Sequence, residues 1–220
     1  MQPAITIYFL SGLGADSRAF KYLTFPETVK TVFVDWLVPE KNEPIANYAK
    51  RIAGKIDDSK PFALVGLSFG GMLATEVTAF VRPQKIILIS SAARRQELPL
   101  YFKWAGTLRL NKLIPKRTIH KSNIFTNWLF SISAKRDKFL LQEILTASNP
   151  SFSKWAVNEI VNWKKLTKDE DIIRIHGNKD KVLPIINFKP DYLIKGGGHF
   201  MVVNRAQEIS QIIADEIKLA

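Results

Sequence analysis

The sequence predicts an α/β protein, a mostly parallel sheet of about six strands flanked by helices, with a helical insertion after the fourth strand. Three observations carry that prediction. Short apolar runs rich in β-branched residues alternate with helix-length stretches at both ends of the chain, and such alternation implies right-handed crossovers between parallel strands. One run, Phe62 to Leu67, passes straight through Gly66-Leu67-Ser68-Phe69-Gly70 into the helix-forming stretch Met72 to Val81, with no turn residues between. From Arg94 to Leu166 the alternation stops and only helical periods are found.

In order, Ile5 to Leu10 is a buried-strand run closed by the loop Ser11-Gly12-Leu13-Gly14, and Ala15 to Leu23 reads as helix with Asp16 in its first turn, where an acid suits the dipole. Val29 to Trp36 is the next strand, and Asn42 to Ile56 an amphipathic helix with Pro44 near its start. The helix after Ser68 ends near Pro83, and Ile86 to Ile89 is the fourth strand. The insertion holds helical periods at Leu98 to Leu110, Ile124 to Ile132, Ala134 to Ala147 and Ser153 to Leu166, the last two separated by Asn149-Pro150. Strands resume at Ile172 to Ile175, ending in His176-Gly177, and at Asp191 to Ile194, ending in Lys195-Gly196-Gly197-Gly198. Asn204 to Ile217 is a closing helix with Asn204 as N-cap and Gln207 three residues on. The expected organisation is one core, 1–93 with 167–220, and an insertion, 94–166.

Bulk composition narrows the function classes. A chain of 220 residues that is 46% hydrophobic can bury a core of its own, and its lack of cysteine excludes disulfides, a thiolate nucleophile and Cys-ligated metal. The first residues lack the basic start and long apolar run of a signal peptide, and no stretch approaches the ~18 apolar residues of a membrane span, so a cytoplasmic protein is expected. Net charge is +12, and its distribution is uneven. Arg94 to Lys168 holds 15 Lys and Arg against 4 acids, the rest of the chain 17 against 16.

A serine in a Gly-x-Ser-x-Gly turn between strand and helix is held in a strained conformation, with its hydroxyl raised above the sheet edge and the first amides of the helix aimed at the same space. A hydroxyl is a poor nucleophile until a base takes its proton, and that base needs an orienting acid. Of the three histidines, His199 follows the last strand across three glycines and is the first candidate for base; His176 at the end of the fifth strand reads as structural, and His120 lies among Lys116, Arg117 and Lys121 as a solvated residue. Asp180, three residues past the fifth strand, is the first candidate for the acid, with Asp35 after the second strand as runner-up. The amides of Phe69 and Leu13 are the candidate donors to an oxyanion.

Together Ser11-Gly12-Leu13-Gly14, Gly66-Leu67-Ser68-Phe69-Gly70-Gly71, His176-Gly177-Asn178-Lys179-Asp180 and Gly198-His199 resemble the alpha/beta-hydrolase superfamily, over nearly the whole chain outside the insertion. The resemblance implies that Ser68 is the nucleophile, Asp180 the acid, His199 the base, Leu13 and Phe69 the oxyanion donors, and 94–166 a lid over the substrate pocket. It also implies a trimmed, six-stranded form of the fold. Ser11 departs from the pattern by standing where the family's loop usually begins with histidine.

These residues point to a serine hydrolase acting on a small or medium carboxylic ester through an acyl-enzyme, with no metal or organic cofactor. The same triad could serve a thioesterase or an aminopeptidase, and a non-catalytic ligand-binding protein is the reading from another class. A dehalogenase-like reading is disfavoured, because those relatives carry an aspartate where Ser68 stands. Tyr101, Phe102, Trp104, Phe125, Trp128, Phe130, Trp155 and Trp163 are expected mostly to pack insertion helices onto the sheet, with some lining an apolar pocket. Arg109, Lys112, Lys116, Arg117 and Lys121 could draw in an acidic partner such as an acyl carrier protein. Nucleic acid is not expected, because the aromatics are not interleaved with the basic residues in a recognised module.

Overall fold

A computed structural model describes residues 5–108, 123–165, 171–186 and 188–218. They form a six-stranded sheet in the order β2-β1-β3-β4-β5-β6, with every neighbouring pair parallel. The strands are β1 (Ile5–Leu10), β2 (Val29–Phe33), β3 (Phe62–Leu67), β4 (Lys85–Ile89), β5 (Ile172–Gly177) and β6 (Tyr192–Ile194). The order reverses between β1 and β3, and the carboxyl edge beside such a switch point is where open α/β sheets leave a crevice.

Both faces are covered, so the central strands read as continuous apolar runs. Alternate residues of β1 serve opposite faces. Tyr8 and Leu10 pack with α1 (Ile45–Ala53) and α2 (Phe69–Val77), whereas Ile7 and Phe9 face a layer that includes Ile209 and Ile213 of the closing helix. In α1 the buried set Ile45, Tyr48, Ala49 and Ile52 has the spacing of one helix face. Between β4 and β5 lie α3 (Leu100–Thr107), α4 (Ile124–Leu129), α5 (Lys135–Ala147) and α6 (Pro150–Asn162). They divide between the layers: Leu140 and Ile144 of α5 join the Phe9 side, and Phe152 and Ala156 of α6 join the Tyr8 side.

Several expectations need correction. Ala15 to Leu23 forms only a 3-10 turn at Ser17–Phe20, with Asp16 as its N-cap, accepting from the Arg18 amide. Burial of Ala19 and Phe20 in so short a segment replaces the longer helix. The second strand stops at Phe33, and Trp36 instead packs against Phe152, with centroids 4.7 Å apart and the rings tilted by 33°, and donates its indole N–H to the Ala15 carbonyl. Asn204 is not an N-cap. It ends α7 (Met201–Asn204), and α8 (Ala206–Lys218) begins after a break at Arg205, because the three apolar residues from Met201 are already buried as helix. Asn149-Pro150 does separate α5 from α6, but α6 begins at Pro150 rather than Ser153, since proline's missing N–H costs nothing at the first position and Asn149 caps the helix. Of the insertion aromatics, Tyr101, Trp104, Phe125 and Trp128 are exposed rather than packed on the sheet, since α3 and α4 are short and lie at the periphery.

The tightest packing surrounds the β3–α2 turn. A Cβ on Gly70 would lie 2.2 Å from the carbonyl oxygens of Leu10 and Ser11, and one on Gly66 would lie 2.3 Å from the Gly71 Cα. Both are backbone obstacles that cannot swing aside. Gly54, past the end of α1, has only the Arg51 carbonyl at 3.5 Å and an ordinary helical φ of −65°. Gly70→Ala is therefore expected to lower the unfolding free energy by ~2 kcal/mol or more, whereas Gly54→Ala leaves it unchanged or raises it by ~0.5 kcal/mol. Urea unfolding of the two variants measures the contrast.

Candidate active site

Ser68 is the junction of β3 and α2, with φ 51° and ψ −120°. A non-glycine residue pays about 1–3 kcal/mol for such a conformation, so the surroundings must hold it there. Four hydrogen bonds to its backbone do so. The Ser68 amide donates to the Ile89 carbonyl at 2.9 Å, and the Ser68 carbonyl accepts the Gly71 amide at 3.0 Å, the Met72 amide at 3.3 Å and the Ser91 hydroxyl at 2.6 Å. Ser91, just past the carboxyl end of β4, is not singled out by the sequence; a serine after a strand gives no local sign that it braces a turn 23 residues earlier in the chain.

His199 reaches Ser68 from the loop after β6. Its Nε2 lies 2.9 Å from Ser68 Oγ and its Nδ1 2.8 Å from Asp180 Oδ2. A carboxylate can only accept, so Nδ1 carries the hydrogen and Nε2 is left as acceptor for the serine hydroxyl. Asp180 and His199 are each 4% exposed, while Ser68 is half-buried. The Asp180 carboxylate is itself fixed: Oδ1 accepts the amides of Val182 at 2.9 Å and Leu183 at 2.8 Å. The chain is thus brought together from three places, with Ser68, His199 and Asp180 in one hydrogen-bonded line.

Other expectations fall differently. His176 is not part of that line, but it is close to it: its Nε2–H donates to the Leu183 carbonyl at 2.7 Å and lies 3.4 Å from Asp180 Oδ2. Asp35 is exposed beyond the end of β2, and His199 is partnered by Asp180 instead. His120 lies outside the described residues, as do Arg109, Lys112, Lys116, Arg117 and Lys121. Ser11 donates its hydroxyl to the Ala15 carbonyl at 2.7 Å, which closes the Ser11–Gly14 loop on itself without the family histidine. Gly12 sits over Ser68, an added Cβ there lying 3.5 Å from the serine Cβ. The Phe69 amide is the first of α2, one of the four a helix leaves without an internal acceptor. Phe130 sets its ring edge-to-face on His199 at 5.3 Å, an apolar wall beside the imidazole.

Among the described residues no cluster of His, Cys, Asp and Glu could hold a metal ion, and no helix is long and apolar enough to cross a membrane. Burial works to raise the Asp180 pKa, but the His199 charge and the hydrogen bonds from His176 and His199 outweigh it and hold the carboxyl well below the usual range. Because the folded value is below the unfolded one of about 3.9, Asp180 stabilises the fold fully above about pH 4, and that contribution is lost as pH falls further. The stability gap between wild type and Asp180→Asn is expected to be widest near neutral pH and to close below about pH 4. A gap independent of pH in urea unfolding would contradict this.

No family model and no curated protein sequence matches the chain. Solved structures do. MenH from S. aureus superposes with a TM-score of 0.74 at 16% identity, over 99% of this chain and 95% of that one. A hydrolase from Pseudomonas aeruginosa PA01 gives 0.73 at 14% identity over 97% and 89%, and the esterase EaEST from Exiguobacterium antarcticum 0.70 at 16% over 99% and 93%. Likeness at this level of identity speaks to architecture, and with the parallel six-stranded sheet it shows that this chain has the alpha/beta-hydrolase fold.

Proposed function

We propose that the protein is a serine hydrolase that cleaves a carboxylic ester of a small or medium acyl group through an acyl-enzyme. The observation that supports this most is the unbroken line Ser68 Oγ, His199 Nε2, His199 Nδ1, Asp180 Oδ2, with steps of 2.9 and 2.8 Å, at a strained turn on the carboxyl edge of the sheet. Esterases among the structural neighbours are consistent with it.

In this reading Ser68 is the nucleophile of an elbow. His199 Nε2 takes the hydroxyl proton as Oγ attacks the acyl carbon, and Asp180 holds the imidazole in the required tautomer and stabilises the imidazolium. The carbonyl oxygen becomes an oxyanion that the Leu13 and Phe69 amides receive at the positive end of α2. His199 then passes its proton to the departing alkoxide, which leaves as the alcohol. Water, deprotonated by the same imidazole, attacks the acyl-enzyme and releases the carboxylic acid, and the proton returns to Ser68. The 94–166 insertion is the lid in this account, with Phe130 as one wall of the acyl pocket. Its basic stretch, Arg109 to Lys121, would receive an acidic partner or substrate; reversing several of those charges should raise KM with a marked salt dependence.

A fluorophosphonate probe is expected to label the wild type and not Ser68→Ala, and Ser68→Ala should lose p-nitrophenyl ester hydrolysis by ~10⁴-fold or more. Comparison of esters with acyl thioesters and aminoacyl amides on the wild type assigns the bond cleaved. Undiminished labelling of Ser68→Ala would refute the nucleophile, and no labelling or turnover by the wild type would favour a binding protein.

A further inference from the structure

His176 is almost fully buried, 1% exposed, and belongs to β5, yet the mechanism above gives it no task. Its position is tightly determined. The ring is held by the Leu183 carbonyl at 2.7 Å and by the edge of Phe188, with centroids 5.2 Å apart. The backbone just beyond it is closely packed: a Cβ on Gly177 would lie 2.2 Å from the Gly197 carbonyl oxygen, and that same oxygen accepts the Lys179 amide at 2.8 Å. The strand end carrying His176 is therefore packed and hydrogen-bonded against the loop carrying His199.

Asp180 stands between the two imidazoles. Oδ1 is occupied by two backbone amides, and Oδ2 receives His199 Nδ1–H at 2.8 Å with His176 Nε2 at 3.4 Å. The Nε2–H of His176 points into the space shared by the Leu183 carbonyl and Oδ2, since neither oxygen can donate. We propose that His176 is a positioning residue for the Asp180–His199 pair: it fixes the tilt of the carboxylate through the Leu183 turn, and its N–H draws on the charge of Oδ2 that would otherwise act on His199 alone. The kinetic part of this inference rests on the hydrolase reading; the electrostatic part does not.

The other charged and titratable groups around the pair have partners of their own or are exposed. Arg174, on the same face of β5, is engaged with Glu97 at 3.0 Å and lies over the Phe188 ring. Tyr101 of α3 donates to the Val182 carbonyl at 2.7 Å, Lys181 extends over Trp128, and Lys179 is exposed. Removing one donor from a carboxylate strengthens its hold on the remaining partner's charge, so loss of the His176 N–H should make His199 easier to protonate.

The test is an imidazole ¹⁵N NMR titration of wild type, His176→Gln, His176→Asn and His176→Leu, with His199 assigned through His199→Gln in a chain that has only three histidines. Gln can place an N–H near the position of Nε2, whereas Asn is too short and Leu has none. The expected result is an upward shift of the His199 midpoint by ~0.5–1 pH unit in the Asn and Leu variants and little change in Gln. The acid limb of kcat/KM for a p-nitrophenyl ester should shift by the same amount. One His199 midpoint across all variants, or a kcat/KM that falls by one factor at every pH, would overturn the proposal. Should Leu fail to fold, the Asn and Gln pair decides it. Should the wild type turn over no ester, the hydrolase reading fails while the titration still answers this question.

Discussion

The structure depends on one backbone constraint: β3 must become α2 within a single residue. That leaves Ser68 at a positive φ, which nothing in a serine favours. The cost is offset by close approach. Gly66, Gly70 and Gly71 let β3, the end of β1 and Ser91 press against the turn, and the hydrogen bond to the Ile89 carbonyl with those from Gly71, Met72 and Ser91 uses both backbone polar groups of Ser68. The contacts that force the turn also bring the Ser11–Gly14 loop over the serine, so strain and the geometry of the candidate oxyanion site have a common origin.

The second constraint is electrostatic. A buried carboxylate without partners is costly, and Asp180 has four donors around its two oxygens. Two of them are the amides of its own turn, so the loop that follows β5 is shaped around the charge. The residues between β4 and β5 help to hold that loop: Ser131 donates to the Lys179 carbonyl and Tyr101 to that of Val182. The segment between β4 and β5 thus supports the site from outside the sheet as well as adjoining it.

What the sequence made legible follows the range of the interactions. The limits of β1 and β3 and the turn at Ser68 were readable because they rest on neighbouring residues, an apolar run and glycines at fixed offsets. Asp180 and His199 were readable because β5 and β6 end beside them and the chain order agrees with the family resemblance. Ser91 under the Ser68 carbonyl, His176 beside Asp180 and Trp36 against Phe152 were not, since each depends on which elements become neighbours. The Met201 helix was missed for a similar reason: burial begins it before the N-cap signal at Asn204. The exposure of Trp104 and Phe125 departs from the expectation that most aromatics of this segment pack its helices onto the sheet.

The central claim is that Ser68, His199, Asp180 and the Leu13 and Phe69 amides act on one reacting centre. A crystal structure of the protein after reaction with an alkyl phosphonate tests it most directly. The account predicts phosphorus bonded to Ser68 Oγ, one phosphonyl oxygen within ~2.7–3.1 Å of both amides, and His199 Nε2 turned toward the leaving-group side. Phosphorus on another residue, or a phosphonyl oxygen directed away from both amides, would contradict it.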